Sequence, residues 1–314
     1  GTALPWFTGE TTAGMVETIQ ERIEPILVGK SISEAFADLD SFIHSFTHSP
    51  GATSAAEIAL LDIRAKREDI TLQQVFGPRF RTAITEVYPI PGLKPEKAVK
   101  ITNNAIEEGY ERFKIKATGE VKTDINRINS VLDVLPEHAN LRIDANTAWE
   151  TAPQTIDIIS SITNHDQIQY IEQPTNPDIR SALRKIWEET GIPVYADETV
   201  QSINDIETLG HDATVKGVCL KLAKFGSPTK LYRAGRRAND LGLNVTIVSA
   251  FGTSLEAAVN LHLASALPNL SAGQEIAPMF LETDPTIPQL SAKPRMETID
   301  ERGIGVALQQ ELFK

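Results

Sequence analysis

Short apolar strands that end abruptly in a charged side chain recur through the middle of this chain of 314 residues. The clearest is the stretch 141–146, in which Leu-Arg-Ile leads into Asp144, Ala145 and Asn146. Taken in order, the polar strand ends are Lys116, Asp144, Glu172, Asp197 and Lys221. They are separated by 28, 28, 25 and 24 residues, which is the length of one strand, loop, helix and loop. The spacing therefore predicts parallel strands joined by helical crossovers.

The number of these strands favours a closed barrel. Strands are predicted near residues 84–88, 112–116, 140–144, 168–172, 193–197, 216–221 and 244–249, with a weaker one near 270–276. Helical stripes such as Ala98, Ile101 and Ala105 lie between them. No Gly-rich phosphate-binding loop follows the first strand, which removes the main reason to prefer an open doubly wound sheet. The predicted fold class is α/β, with seven or eight parallel strands in a barrel.

The two ends of the chain differ from this alternating part. Residues 1–82 show helical patterns without a clear barrel strand, which predicts a separate layer. Residues 83–289 carry the barrel pattern. Residues 290–314 are predicted to be irregular, with a short closing strand that packs back on the N-terminal layer.

Charge and composition narrow the class of partner. The net charge of −12 disfavours a nucleic acid or an anionic membrane. No apolar run approaches the roughly 20 residues that a membrane span requires, and the first residues do not resemble a cleavable signal. A single cysteine, Cys219, cannot form an internal disulfide, which favours a reducing cytoplasm. A cytoplasmic protein that acts on a small molecule is therefore expected.

Three carboxylates are predicted to meet at the mouth of the barrel. Functional side chains of a parallel barrel lie at the C-terminal ends of its strands, and Asp144, Glu172 and Asp197 end three successive strands. Their mutual repulsion would be relieved by a hard divalent cation. Oxygen ligands without an accompanying His or Cys favour Mg²⁺ over Zn²⁺.

Lysines flank these carboxylates on both sides. Lys116 lies on the preceding strand and Lys221 on the following one, and a nearby cation together with burial lowers the pKa of a lysine towards that of a base. One lysine would remove the proton α to a substrate carboxylate and the other would deliver a proton to the opposite face. Lys114 and the cation would neutralise the charge that grows on that carboxylate. Lys224, in contrast, is predicted to be a surface group.

Five ordered motifs resemble those of a known family, and the resemblance covers almost the whole chain. They are Lys114-Ile-Lys116, Arg142-Ile-Asp144-Ala-Asn146, Tyr170-Ile-Glu172-Gln-Pro174, Ala196-Asp197-Glu198 and Leu220-Lys221-Leu-Ala-Lys224-Phe-Gly226. Together they resemble the muconate lactonizing enzyme subgroup of the enolase superfamily. The resemblance implies a modified (β/α)7β barrel covered by an α+β capping domain formed by residues 1–82 and the tail. It further implies Mg²⁺ bound by Asp144, Glu172 and Asp197, with Lys116 and Lys221 as acid and base.

The resemblance also bounds the reaction. The stretches 261–264 and 273–275 are most similar to muconate-type cycloisomerases, so the leading interpretation is a Mg²⁺-dependent cycloisomerase that forms an enolate intermediate. Alternatives within the subgroup are a racemase or epimerase of N-acyl amino acids or dipeptides, and a lyase similar to o-succinylbenzoate synthase. Asn146 and Glu198 adjoin the ligands and are candidates for orienting them or binding substrate.

Two departures from the family pattern accompany these motifs. Many members carry a glutamate where this chain has Gly252, and the capping region lacks the N-terminal strands that such caps usually have. The first departure leaves a non-catalytic homologue as an alternative. A Schiff-base aldolase with Lys221 as the nucleophile is a further one. A homo-oligomer is expected from barrels of this kind, although no feature gives a subunit number.

Overall fold

Residues before the barrel are helical in the computed structural model, which describes residues 2–45, 49–279, 281–309 and 311. Their α-helices are α1 (Pro5–Thr8), α2 (Thr12–Thr18), α3 (Glu24–Leu27), α4 (Ile32–Ser45), α5 (Pro50–Arg67) and α6 (Leu72–Phe76). A π-helical turn, Ile19–Ile23, joins α2 to α3. Helix α5 begins with a proline and carries basic residues in its last turn, where they compensate the partial negative charge of the helix C-terminus.

The strand predicted at 84–88 is wrong in detail, because the chain forms two strands there. Strand β1 (Ala83–Thr85) pairs antiparallel with Arg295–Glu297 of the tail. Strand β2 (Tyr88–Ile90) is the first strand of the parallel sheet. The partner of β1 lies some two hundred residues downstream, so local sequence gave no sign of this pairing.

Among the described residues, seven strands form one parallel sheet in the order β2 to β8. The strands after β2 are β3 (Arg112–Lys116), β4 (Asn140–Asp144), β5 (Ile168–Glu172), β6 (Val194–Ala196), β7 (Gly217–Leu220) and β8 (Asn244–Ile247). Their register pairs Lys116 with Asp144 and Asp144 with Glu172. The polar residues at the C-terminal ends of these strands therefore lie side by side.

Residues 274–275 join the two edges of this sheet. Val87 N–H donates to Gln274 O at 2.8 Å, and Glu275 N–H donates to Ile247 O at 3.1 Å. This short segment corresponds to the weak strand predicted near 270–276. The prediction of an α/β fold with a parallel barrel is confirmed.

Helices cover the outside of the barrel. They are α7 (Pro95–Glu107), α8 (Val121–Leu132), α9 (Ala152–Ser160), α10 (Arg180–Thr190), α11 (Ile203–His211), α12 (Leu222–Phe225), α13 (Pro228–Asp240) and α14 (Ser254–Ala266). A continuous core of buried aliphatic side chains, including Ile115, Ile143 and Ile171, lies between strands and helices. Within the described ranges, no helix is both long and apolar enough to cross a membrane.

The tail contacts both the barrel and the N-terminal helices. Its strands are β10 (Arg295–Glu297) and β11 (Ala307–Leu308), and β11 pairs with β9 (Thr286–Ile287), which lies just before the tail. Leu72 N–H donates to Gly303 O at 2.8 Å, and Ile304 N–H donates to the Asp62 carboxylate at 2.9 Å. The C-terminal residues 312–314 of the predicted tail segment lie outside the described residues.

Candidate active site

The carboxylates predicted to bind metal lie at the ends of neighbouring barrel strands. Asp144 ends β4, Glu172 ends β5 and Asp197 follows β6 directly. All three side chains are buried. The structure therefore brings together the acidic groups that the strand spacing predicts to converge, while their role as ligands stays a prediction.

Glu172 has the least compensated charge of the three. Both carboxylate oxygens are buried, and neither has a hydrogen-bond partner among the described residues. Lys114 Nζ is 3.7 Å from Oε2. Burial and the neighbouring carboxylates, of which Asp144 is the strongest, raise the pKa of Glu172 to about 8. A buried carboxylate without hydrogen-bond partners is costly, so this position favours a bound cation.

Two lysines bind Asp197. Lys221 Nζ donates to Oδ2, while Lys224 Nζ donates to Oδ1 at 2.7 Å and to the main-chain oxygen at 2.8 Å. A third bond from Lys224 goes to Cys219 O at 3.1 Å, so the ammonium uses its full set of donors. The two lysines outweigh the effect of burial and lower the pKa of Asp197.

The prediction that Lys224 is a surface group is therefore wrong. Its side chain is only 2% exposed. The short helix α12 follows β7 at once and turns Lys224 back towards the strand end. The sequence signal that could have found it is its place in the motif that also contains Lys221.

Lys114 and Lys116 lie two residues apart on β3, so their side chains leave the same face of the strand. Lys116 Nζ is 2.5 Å from Asp144 Oδ2 and 2.6 Å from Asn146 Oδ1. Lys114 Nζ is 3.1 Å from Asp144 Oδ2 and also pairs with Glu275. Burial alone would lower the pKa of Lys114, but the surrounding carboxylates outweigh it and raise that pKa. Lys114 therefore remains a buried cation.

Glu275 is a candidate that the sequence reasoning missed, although the stretch 273–275 was singled out. One oxygen pairs with Lys114, while Oε1 is buried without a hydrogen-bond partner among the described residues. Arg142 Nη1 is 3.9 Å from that oxygen. Glu275 belongs to the segment that closes the barrel between β8 and β2, and from there it pairs with Lys114 of β3.

Asn146 and Glu198 contact each other at the barrel mouth. Asn146 Nδ2 donates to Glu198 Oε1 at 3.1 Å, and Asn146 N–H donates to Asp144 Oδ1 at 3.1 Å. Burial and the adjacent Asp197 raise the pKa of Glu198. Asn146 thus links a predicted ligand to Glu198, as a residue that orients ligands would.

Gln173 is a second residue that the sequence reasoning did not single out. Its side-chain oxygen accepts hydrogen bonds from Asp197 N–H at 3.0 Å and Thr199 N–H at 3.1 Å. Its φ of +36° is matched by positive values at Asn146 and Thr147. A positive φ is strained for a residue other than glycine, and such strain is concentrated at functional sites.

The donor set fits a hard divalent cation. Among the described residues, no group of acidic, His or Cys side chains already has metal-ligating geometry. Ammonium groups bind Asp144 and Asp197. Glu172 offers two buried oxygens that accept no hydrogen bond from the described residues, and burial together with the neighbouring carboxylates raises its pKa. Oxygen donors of this kind suit Mg²⁺.

A cavity of about 550 Å³ lies beside these groups, and Lys114, Lys116 and Lys221 are among its lining residues. Most of the remaining wall is apolar and includes Trp6 and Phe7 of α1. A mostly apolar pocket with a few convergent charged groups is typical of a small-molecule site.

Comparison with known proteins finds relatives that are isomerases. The family model described as enolase C-terminal domain-like matches residues 97–312. The N-succinyl-L-Arg/Lys racemase of Bacillus cereus is 24% identical over 287 residues, which cover 90% of this chain and 77% of that protein. Its crystal structure superposes with a TM-score of 0.90 and 23% identity, covering 99% of this chain and 84% of that one.

Two further relatives have different reactions. The hydrophobic dipeptide epimerase of Enterococcus faecalis is 26% identical and covers 96% of this chain and 85% of that protein. Its structure complexed with Mg and the dipeptide L-Leu-L-Tyr has a TM-score of 0.88 at 25% identity, covering 98% of this chain and 86% of that one. A chloromuconate cycloisomerase of Cupriavidus pinatubonensis is 25% identical, with coverages of 98% and 83%.

Proposed function

This chain belongs to the enolase C-terminal domain-like family, and on that premise we propose that it is a Mg²⁺-dependent isomerase that removes the proton α to a carboxylate of a small substrate. The observation that carries the proposal is the arrangement at the barrel mouth. Three buried carboxylates lie side by side, and Lys116 and Lys221 both reach the same cavity. Asp144, Glu172 and Asp197 would hold the cation.

The residues of the chain divide the reaction between them. Bound Mg²⁺ would supply charge neutralisation and hold the substrate carboxylate as it becomes an enolate. Lys114, which stays charged, adds a second positive charge at that carboxylate. The base, Lys116 or Lys221, takes the α-proton, and the electron pair of the C–H bond moves into the carboxylate.

A muconate-type cycloisomerisation is the first candidate. In the lactone-to-diacid direction, the enolate expels the ring oxygen and the C–O bond breaks. In the other direction, a carboxylate adds to the double bond and the lysine returns its proton to the α-carbon. This reaction needs one acid–base lysine.

A racemase or epimerase of N-acyl amino acids or dipeptides is the second candidate. It is favoured by the presence of two lysines, Lys116 and Lys221, on different strands around one cavity. One lysine would take the proton and the other would return a proton to the opposite face. The racemase and epimerase relatives support this reading, and the cycloisomerase relative supports the first.

One experiment separates these reactions. Diacids and their lactones, N-succinyl amino acids and dipeptides are incubated with the protein and Mg²⁺ in D₂O, and the products are followed by NMR and chiral chromatography. Inversion with α-deuteration indicates a racemase or epimerase, whereas interconversion of diacid and lactone indicates a cycloisomerase. Loss of water from the substrate indicates a lyase.

Variants test the two-lysine mechanism. Lys116→Ala and Lys221→Ala should each lower turnover by at least about a hundredfold, while Lys100→Ala, which changes an exposed lysine of α7, should not. Unchanged turnover in both active-site variants would refute the mechanism. Borohydride trapping of a carbonyl substrate on Lys221, insensitive to chelators, would replace it with the Schiff-base alternative.

The division of the chain remains part of the proposal. A cap formed by residues 1–82 and 290–314 over a barrel of residues 83–289 is supported by the contacts of α1 with the cavity and of the tail with α6. Homo-oligomerisation stays a prediction, which size-exclusion chromatography with light scattering tests.

A further inference from the structure

Gly252 and Glu256 occupy the same region beside the cavity. A Cβ atom added to Gly252 would lie 2.3 Å from Cδ and Oε2 of Glu256. Real Cβ atoms do not approach other atoms so closely, so a side chain at 252 and the Glu256 carboxyl exclude each other. The glycine therefore leaves free the space that the Glu256 side chain occupies.

The Glu256 carboxylate is connected to the loop that precedes α14. Its Oε1 accepts a hydrogen bond from Ser249 Oγ at 3.2 Å, and Ser249 Oγ accepts one from Gly252 N–H at 3.2 Å. A further bond comes from Ala250 N–H. These bonds span a turn in which Phe251 has a φ of +62°, a conformation that is costly for an aromatic residue. Glu256 thus holds a strained turn.

This turn forms part of the cavity wall. Residues 249–252 line the same cavity as Lys116 and Lys221. The Phe251 ring makes an edge contact with Trp6 of α1, with ring centroids 6.4 Å apart. The turn and α1 therefore approach each other at the mouth. A displacement of the turn would change the shape of the space that a substrate enters.

We propose that Glu256 is a positioning residue that fixes the turn 249–252 against the cavity, and that Gly252 is the residue that makes room for its carboxyl. The carboxyl at this place comes from the first turn of α14 instead of from position 252 itself. The effect on substrate rests on the proposed function, whereas the effect on the turn does not. Substrate size and binding are the properties that Glu256 controls.

The test exchanges the two residues. Glu256→Ala and Glu256→Gly remove the carboxyl. The double variant Gly252→Asp/Glu256→Gly returns one, because an aspartate carboxyl lies one bond of about 1.5 Å beyond the Cβ. The glycine at 256 also removes the Glu256 Cβ, which would lie 2.7 Å from a Cβ at 252. Glu256→Gln keeps the shape, while Glu96→Ala removes an exposed first-turn glutamate of α7 and controls for the helix dipole.

Exchange of the backbone amide of residue 252, measured by NMR or mass spectrometry and divided by the intrinsic rate of the residue present, reports on the turn directly. We expect this ratio to be about tenfold higher in Glu256→Ala and Glu256→Gly, as loss of hydrogen bonds to a charged group predicts, and to return to the wild-type value in the double variant. A wild-type ratio in Glu256→Ala, or a ratio in the double variant as high as in Glu256→Gly, would overturn the proposal. Far-UV circular dichroism verifies folding, and Glu256→Gln, expected to be intermediate, replaces any variant that does not fold.

The effect of Glu256 on substrate binding is measured by steady-state kinetics on a substrate found in the D₂O screen. KM should rise about tenfold in Glu256→Ala with kcat nearly unchanged, because Glu256 does not touch the reacting atoms. A fall in kcat at constant KM would overturn the assignment to substrate binding. If the wild-type protein turns over none of the carboxylates, the proposed function fails, while the exchange rates still decide whether Glu256 fixes the turn.

Discussion

Replacing His262 should change how the stability of the protein depends on pH. His262 lies on α14 and is 1% exposed. Gln73 N–H of α6 donates to its Nδ1 at 3.3 Å, and Nε2 is 3.1 Å from Ile304 O of the tail. Nδ1 must therefore be the unprotonated nitrogen, while Nε2–H donates. A second proton on Nδ1 would point at the Gln73 N–H, so the folded structure favours the neutral ring.

The magnitude follows from the pKa values. Burial lowers the pKa of His262 from its ordinary value of 6.5 to about 4. Between these values the unfolded chain binds a proton that the folded chain does not, so stability falls as the pH falls. The full difference corresponds to about 3.4 kcal/mol, of which about 2 kcal/mol is lost between pH 7.5 and pH 5.

His262→Gln isolates this contribution, because glutamine can accept from Gln73 and donate to Ile304 without titrating. Urea unfolding, followed by circular dichroism at pH 7.5, 6 and 5, gives the free energy of unfolding of both proteins. Relative to the variant, the wild-type protein should lose about 2 kcal/mol over this range. His211→Gln, which replaces an exposed histidine, should follow the wild-type curve. Parallel curves for wild type and His262→Gln would refute the reasoning.

Three further perturbations test the charge pairing in the structure. Lys224→Met removes the ammonium that makes three hydrogen bonds beside Asp197 and should lower the free energy of unfolding by about 3 kcal/mol, since it leaves a buried charge with fewer partners; an unchanged urea midpoint would contradict it. Mg²⁺ at one hundred times its Kd should stabilise the wild-type protein by about 2.7 kcal/mol and so raise its melting temperature. Glu172→Gln should abolish most of that rise. Equal rises in both proteins would show that Glu172 does not bind the ion. Glu10→Gln should lower stability by about 1 kcal/mol, because the Glu10 carboxylate accepts from Gly51 N–H at 2.8 Å at the start of α5; wild-type protection of the Gly51 amide against exchange would contradict that role.

The barrel and the converging carboxylates could be predicted because they follow from a repeated spacing. One strand, one helix and their loops occupy nearly constant lengths, so Asp144, Glu172 and Asp197 had to arrive at one edge once the strands were recognised as parallel. The pairing of β1 with β10 follows no such period. It joins distant parts of the chain, and only the folded barrel brings them together.

The cations that balance the carboxylates were harder to predict than the carboxylates themselves. Lys224 belongs to a helical turn after the strand, so its direction depends on how α12 leaves β7. A lysine in such a place is normally exposed, and only the three acceptors around its ammonium explain why this one is buried. Side-chain partners across strands depend on geometry that a linear pattern does not contain.

Position 252 illustrates the same limit for a motif. Compared residue by residue, Gly252 indicates the loss of a carboxylate, and that interpretation left a non-catalytic homologue as an alternative. In the folded chain, the carboxyl of Glu256 lies where a side chain at 252 would begin. Residues four apart at a helix start can reach one region because a helical turn returns to the same face. A glycine at a position such as 252 therefore does not by itself show that the carboxyl group is absent. The location of the side chain four residues later must be known first.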